Sequence, residues 1–190
     1  MEIVSVVILV ALALLAVYGV VIYNALVAIK HNVSKAWANI DVLLKQRNDE
    51  LPKLVETCKQ YMRFEQETLE RVMRARARSQ AAQQAGNLPA LGQAEGALRL
   101  GLGQLFAVAE AYPDLKTNVT FQHLRGRITG LENAIADRRE LYNESANINN
   151  VRIEQFPDVI VARLLAFKPA QLLEFADAEK ADVDLNKLFA

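Results

Sequence analysis

From Ile3 to Tyr23 the chain carries no charge. The run IVSVVILVALALLAVYGVVIY is interrupted only by Ser5, Gly19 and two tyrosines. A helix needs about 20 apolar residues to cross a hydrocarbon core of roughly 30 Å, so this run predicts a membrane span. A core helix apolar on every face belongs inside a large protein. A chain of 190 residues has room for one span and one domain of ordinary size. A cleaved signal peptide has a basic start, a shorter apolar run and a small-residue cleavage site. Here Met1-Glu2 is acidic, and polar helix follows the run directly. Tyr18 and Tyr23 suit a membrane–water interface, where amphipathic rings are favoured.

Flanking charge gives an orientation. Glu2 precedes the run, and Lys30, Lys35, Lys45 and Arg47 follow it. The positive-inside rule then places the N-terminus outside and the remaining chain in the cytoplasm. Cys58 is the sole cysteine, which excludes an intrachain disulfide and fits a reducing compartment. Lys+Arg and Asp+Glu both number 22. With no net field and few aromatic rings, no nucleic-acid partner is expected.

Beyond Asn24 the apolar residues step by three and four, the spacing of a helix face. Leu26, Ile29, Val33, Ala36, Ile40 and Leu43 form one stripe, widened by Trp37 and Leu44. A second runs from Leu51 through Leu54, Val55, Cys58, Tyr61, Met62 and Leu69 to Val72. Gly86-Asn87-Leu88-Pro89 stops that helix and starts a third, from about Ala90 to Tyr112, with Asn87 as cap. Pro113-Asp114 ends the third. Asn118 caps a fourth with a stripe of Phe121, Leu124, Ile128, Leu131, Ile135, Tyr142 and Ile153. No segment alternates as a strand does.

Asn48-Asp49-Glu50-Leu51-Pro52 is ambiguous. Proline breaks or kinks a helix and disfavours helix at the residue before it. Reversal here yields four matched helices in an up-and-down bundle. A mere kink yields one very long helix, and the apolar phase running on through Leu51 and Leu54 agrees with that.

The residues supply little chemistry. His31 and His123 lack a carboxylate or second histidine at metal-ligand spacing. Cys58 sits on an apolar stripe, where an inert buried thiol is the default. No nucleophile elbow, phosphate loop or dinucleotide fingerprint occurs. No catalytic, cofactor or metal site is therefore expected.

Other residues read as contacts. Gly92, Gly96 and Gly103 share a narrow stripe on the third helix. Each costs roughly 1 kcal/mol against alanine, which implies close packing within the bundle first and an oligomer contact second. Arg138 and Asn149 interrupt the fourth stripe. Exposure to solvent is the expected environment, with a register-fixing seam as the alternative. Arg71 and Arg74 lie near the end of the second helix, where cations suit the macrodipole. A solvated helix end is the plain reading; in a reversed bundle they reach anionic headgroups. After Phe156-Pro157 comes an apolar tail with Phe167 and Phe175, expected at the membrane interface or against a neighbouring protomer.

Four pieces of the chain carry a resemblance: YNALVAIKHNVSKAWANIDVLLKQRNDELPKLVETCKQY, AEAYPDLKTN, YNESANINNVRIEQFP and AFKPAQLLEF. Together they resemble the LemA family over nearly the whole chain. Departures are Ile148, where the family often has tyrosine, and the glycines Gly96, Gly101 and Gly103. The resemblance implies a bacterial membrane-anchored protein with an antiparallel four-helix bundle, hence reversal at Pro52. It implies no established enzymatic activity, and some relatives are implicated in shaping or organising membranes.

The reading is thus an all-α chain: a span at 1–23, a helical bundle at 24–155 and an apolar tail with short helices at 156–190. The expected role is a non-enzymatic scaffold in the bacterial cytoplasmic membrane. It would self-associate in the bilayer and organise membrane or partner proteins. The alternative is a monomeric adaptor for one membrane protease or sensor.

Overall fold

Helix α1 runs without a break from Glu2 to Lys59 in a computed structural model that describes residues 2–174. It is followed by α2 (Gln66–Gln84), α3 (Leu88–Ala109), the one-turn α4 (Pro113–Lys116), α5 (Val119–Glu154) and α6 (Asp158–Leu164). No strand occurs among the described residues, as the helical spacing predicted.

The chain does not reverse at Pro52, and this corrects the expectation drawn from the family resemblance. Proline lacks the N–H that would bond the carbonyl four residues back. That carbonyl belongs to Asn48, and Arg76 of α2 donates to it from Nε at 2.7 Å. A side chain from another helix thus satisfies the group that Pro52 orphans, which is a recognised way for a helix to pass a proline. The reversal comes at residues 60–65. There the amides of Tyr61 and Met62 both donate to the Cys58 carbonyl, at 3.0 and 2.8 Å.

The predicted caps are in place. The Asn87 side chain accepts from the Ala90 amide at 3.1 Å, and that of Asn118 accepts from Phe121 at 2.9 Å. Each satisfies one of the orphan donors at a helix start. Helix α2 ends in a left-handed residue, Gly86 (φ 63°), whose successor Asn87 donates back to Ala82. Helix α6 ends in the same way, but the left-handed residue is Ala166 (φ 53°), and Phe167 donates back to Ala162. Both are Schellman caps; only the first uses the residue that fits the conformation without strain.

The described residues form two compact units. Unit 1 comprises residues 2–39 and 140–172. Its apolar run is exposed from Ile3 to Tyr18, and none of the most apolar window of α1 is buried. Ile22 near the end of the run and Leu26 just past it pack with Ile153 of α5 and Ala162 of α6. Unit 2 comprises residues 40–139 with 173–174. Its core joins Leu51, Leu54 and Cys58 of α1 to Leu69 and Val72 of α2, Leu98 and Leu105 of α3, and Phe121 and Ile128 of α5. Gln83 meets Asp41, and Arg76 meets Asn48, so α2 runs antiparallel to α1.

Candidate functional site

Unit 2 holds the most deeply buried charge. Arg47 lies on α1 at the next step of the series Ile40, Leu44, Arg47, Leu51, Leu54, so the helix aims it into the core. It is fully buried. Its two terminal nitrogens grip both oxygens of Glu95 on α3 at 2.7 Å each. Nη1 also donates to Oε1 of Glu132 on α5 at 2.7 Å. Ser79 of α2 donates its hydroxyl to Glu95. The guanidinium and its partners therefore link α1, α2, α3 and α5. Burial works against the charge on Arg47, but the hydrogen bonds and negative charge of Glu95 and Glu132 outweigh it, and the pKa is raised. At its flank Arg127 pairs with Glu50 at 3.1 Å.

The chemistry of this cluster is structural. Every carboxylate oxygen that Arg47 grips is committed to a cation, and the one base Ser79 donates to, Glu95, is among them. Fork-to-fork pairing fixes distance and angle between helices, so the cluster sets the register of the segments around it.

Unit 1 buries the Asp158 carboxylate, paired with Arg152 of α5, and the neutral amide of Asn149. Beyond α6 the chain continues as an extended segment that returns along α5. Asn150 grips its backbone twice, donating to the Ala170 carbonyl at 2.9 Å and accepting from the Ala170 amide at 2.7 Å. Asn149 donates to the Lys168 carbonyl at 3.3 Å, and the Tyr142 hydroxyl donates to the Gln171 carbonyl at 2.7 Å. Tyr142 in turn stacks edge-on against Trp37 of α1, with ring centroids 5.6 Å apart. The blocks YNESANINN and AFKPAQ, both part of the family resemblance, are therefore in direct contact.

The residues singled out by sequence are spread over both units. Asn149 is buried, not solvated as expected, because its amide finds a backbone carbonyl; Arg138 is exposed. Gly92 and Gly96 are buried, whereas Gly103 faces open space. At Gly101 a Cβ would meet Val72 Cγ2 at 3.4 Å, an ordinary van der Waals contact. Arg71 bonds Glu67 and Gln104, and Arg71 and Arg74 line a shallow groove with Arg78. Phe156 is 82% exposed; Phe167 is half-buried, edge-on to Tyr23 at 6.1 Å. Phe175 lies outside the described residues. Cys58 is buried, and burial pushes its thiol up to about 12. Among the described residues no group of His, Cys, Asp and Glu is placed to hold a metal ion.

Sequence reasoning missed Arg47, Glu95, Arg76 and Asn150. A signal existed for two of them. Arg47 and Glu95 each occupy a core position in an otherwise apolar stripe, and opposite charges at such positions on two helices point to a buried pair.

An apolar helix of spanning length joined to an all-helical, polar-seamed body defines a membrane-associated helical protein. The LemA family profile matches residues 36–186. The chain belongs to the LemA family. It is 33% identical over 104 residues to magnetosome protein MamQ 2 and to magnetosome protein MamQ 1 of Paramagnetospirillum magneticum. Magnetosome protein MamQ of Magnetospirillum gryphiswaldense is 29% identical over 96 residues. These matches cover 55%, 55% and 50% of this chain, but only 38%, 38% and 35% of those proteins.

Proposed function

We propose that the protein is a non-enzymatic scaffold: it enters a bacterial membrane through the start of α1, self-associates, and so organises the membrane or proteins within it. The observation that carries the reading is an uncovered face of α5. Leu141, Ile148 and Val151 are exposed there, at steps of seven and three, the spacing of a helix–helix seam. The apolar run supplies the anchor, and the likeness to magnetosome proteins fits a role tied to a membrane compartment. The predicted orientation puts the chain beyond the apolar run in the cytoplasm.

Light scattering of the full chain in mild detergent tests this. The expected result is a defined oligomer that Ile148→Lys shifts toward monomer. Ile148 is exposed, so the substitution leaves the fold standing. A monomeric wild-type chain would overturn the scaffold reading and leave the adaptor.

A further inference from the structure

Unit 1 contains a half-open cavity of about 700 Å³ at the end of the apolar run. Tyr23, Lys30, His31 and Ser34 of α1 line one side, with Phe167 and Lys168 of the returning segment on the other. None of the lining residues is acidic, and neither lysine ammonium has a partner among the described residues. The cavity therefore carries two lysines and an aromatic pair, Tyr23 and Phe167.

We propose that this cavity binds the headgroup of an anionic phospholipid. The inference rests on the reading that the apolar run lies in a bilayer. Tyr23 ends that run, at the level of the interface. Lys30 follows seven residues later, roughly 10 Å along the helix at 1.5 Å per residue. Helical side chains lean toward the N-terminus of their helix, so Lys30 and His31 reach back toward the membrane. A lysine stem of this kind keeps its ammonium among the headgroups. The Asn149 and Asn150 bonds to the backbone of residues 168–170 hold Lys168 opposite. Two ammoniums, an imidazole and a hydroxyl match a phosphodiester. Tyr23 and Phe167 offer the lipid's glycerol and upper acyl carbons an apolar wall.

The test uses the full chain in nanodiscs of phosphatidylcholine with a minority of phosphatidylglycerol. Native mass spectrometry counts the lipids that stay bound on release. The expected result is one retained phosphatidylglycerol per chain. Lys30→Gln and Lys168→Gln should each weaken that preference roughly fivefold, and the pair roughly thirtyfold. Lys35→Gln, on the same helix but outside the cavity, should change it less than about twofold on the same scale. An equal loss with Lys35→Gln would mean diffuse attraction and overturn the site. So would retention without preference for phosphatidylglycerol. If inorganic phosphate in phosphatidylcholine discs stabilises the chain as well as phosphatidylglycerol does, the site takes a small anion and not a lipid. A chain that fails to enter pure phosphatidylcholine discs defeats the membrane reading itself, a result distinct from insertion without lipid selection.

Discussion

In unit 2 a buried guanidinium held by two carboxylates joins the helices; in unit 1 amides bonded to backbone hold the returning segment. Arg47 joins helix to helix, whereas Asn149 and Asn150 join a helix to a segment with no regular structure. The contrast follows from what each must hold. Helices have already satisfied their own backbone, so only side chains remain to set their register, and paired charges do so with directional force. An extended segment carries free N–H and C=O groups, and an amide that both donates and accepts is the natural partner. The costs differ too. A buried ion pair must offset the desolvation of both charges, and losing one partner strands the other. A neutral clamp risks only its hydrogen bonds.

The largest expected effect is therefore in unit 2. Glu95→Ala should cost about 3–5 kcal/mol in thermal or denaturant unfolding of the full chain in detergent, because Arg47 loses its bidentate partner in the core. Replacing Arg47 and Glu95 together by Met and Leu should recover most of that loss. A double variant no better than Glu95→Ala would mean that the ions do more than hold register.

Next comes the Pro52 crossing. Arg76→Met should cost about 1–3 kcal/mol by leaving the Asn48 carbonyl unbonded. Pro52→Ala restores an N–H to that carbonyl, so Arg76→Met should cost less in that background. The coupling should exceed about 0.5 kcal/mol. Purely additive losses would show that Arg76 does not compensate for the proline.

In unit 1, Asn150→Ala should cost about 1–2 kcal/mol for two neutral hydrogen bonds. Amide exchange at Ala170 should rise before that of the α5 core. A loss as large as that of Glu95→Ala would erase the distinction between the units.

The two Schellman caps give the smallest effects, of opposite sign. Ala166→Gly should stabilise by up to about 1 kcal/mol, since alanine is strained at positive φ, and Gly86→Ala should destabilise by about as much. Melting curves of both variants decide it.

Cys58 offers a check by pH. Its folded thiol stands near 12 against an ordinary 9.0. The folded pKa is raised, so the stability from keeping the thiol neutral is present below pH 9 and lost as pH rises toward 12. A maleimide near neutral pH should label Cys58 only after unfolding; rapid labelling of the native chain would show the core open at this point.

What the chain determined by itself is local. An apolar run of spanning length, caps at Asn87 and Asn118, the turn at Gly86 and helical stripes all depend on residues within a turn or two of each other. They could be read directly, as could the all-helical class. The outcome at Pro52 could not, because the atom that rescues the helix belongs to Arg76, 28 residues away. That Gly101 faces a neighbour and Gly103 faces open space has the same reason, since Val72 lies on another helix. Asn149 looked solvated until the returning segment supplied its partner. Local sequence sets where helices begin and end, because capping and periodicity act over a few residues. Only the tertiary structure decides which polar groups are satisfied from afar, and here that decided whether α1 stopped at Pro52 or continued to Lys59.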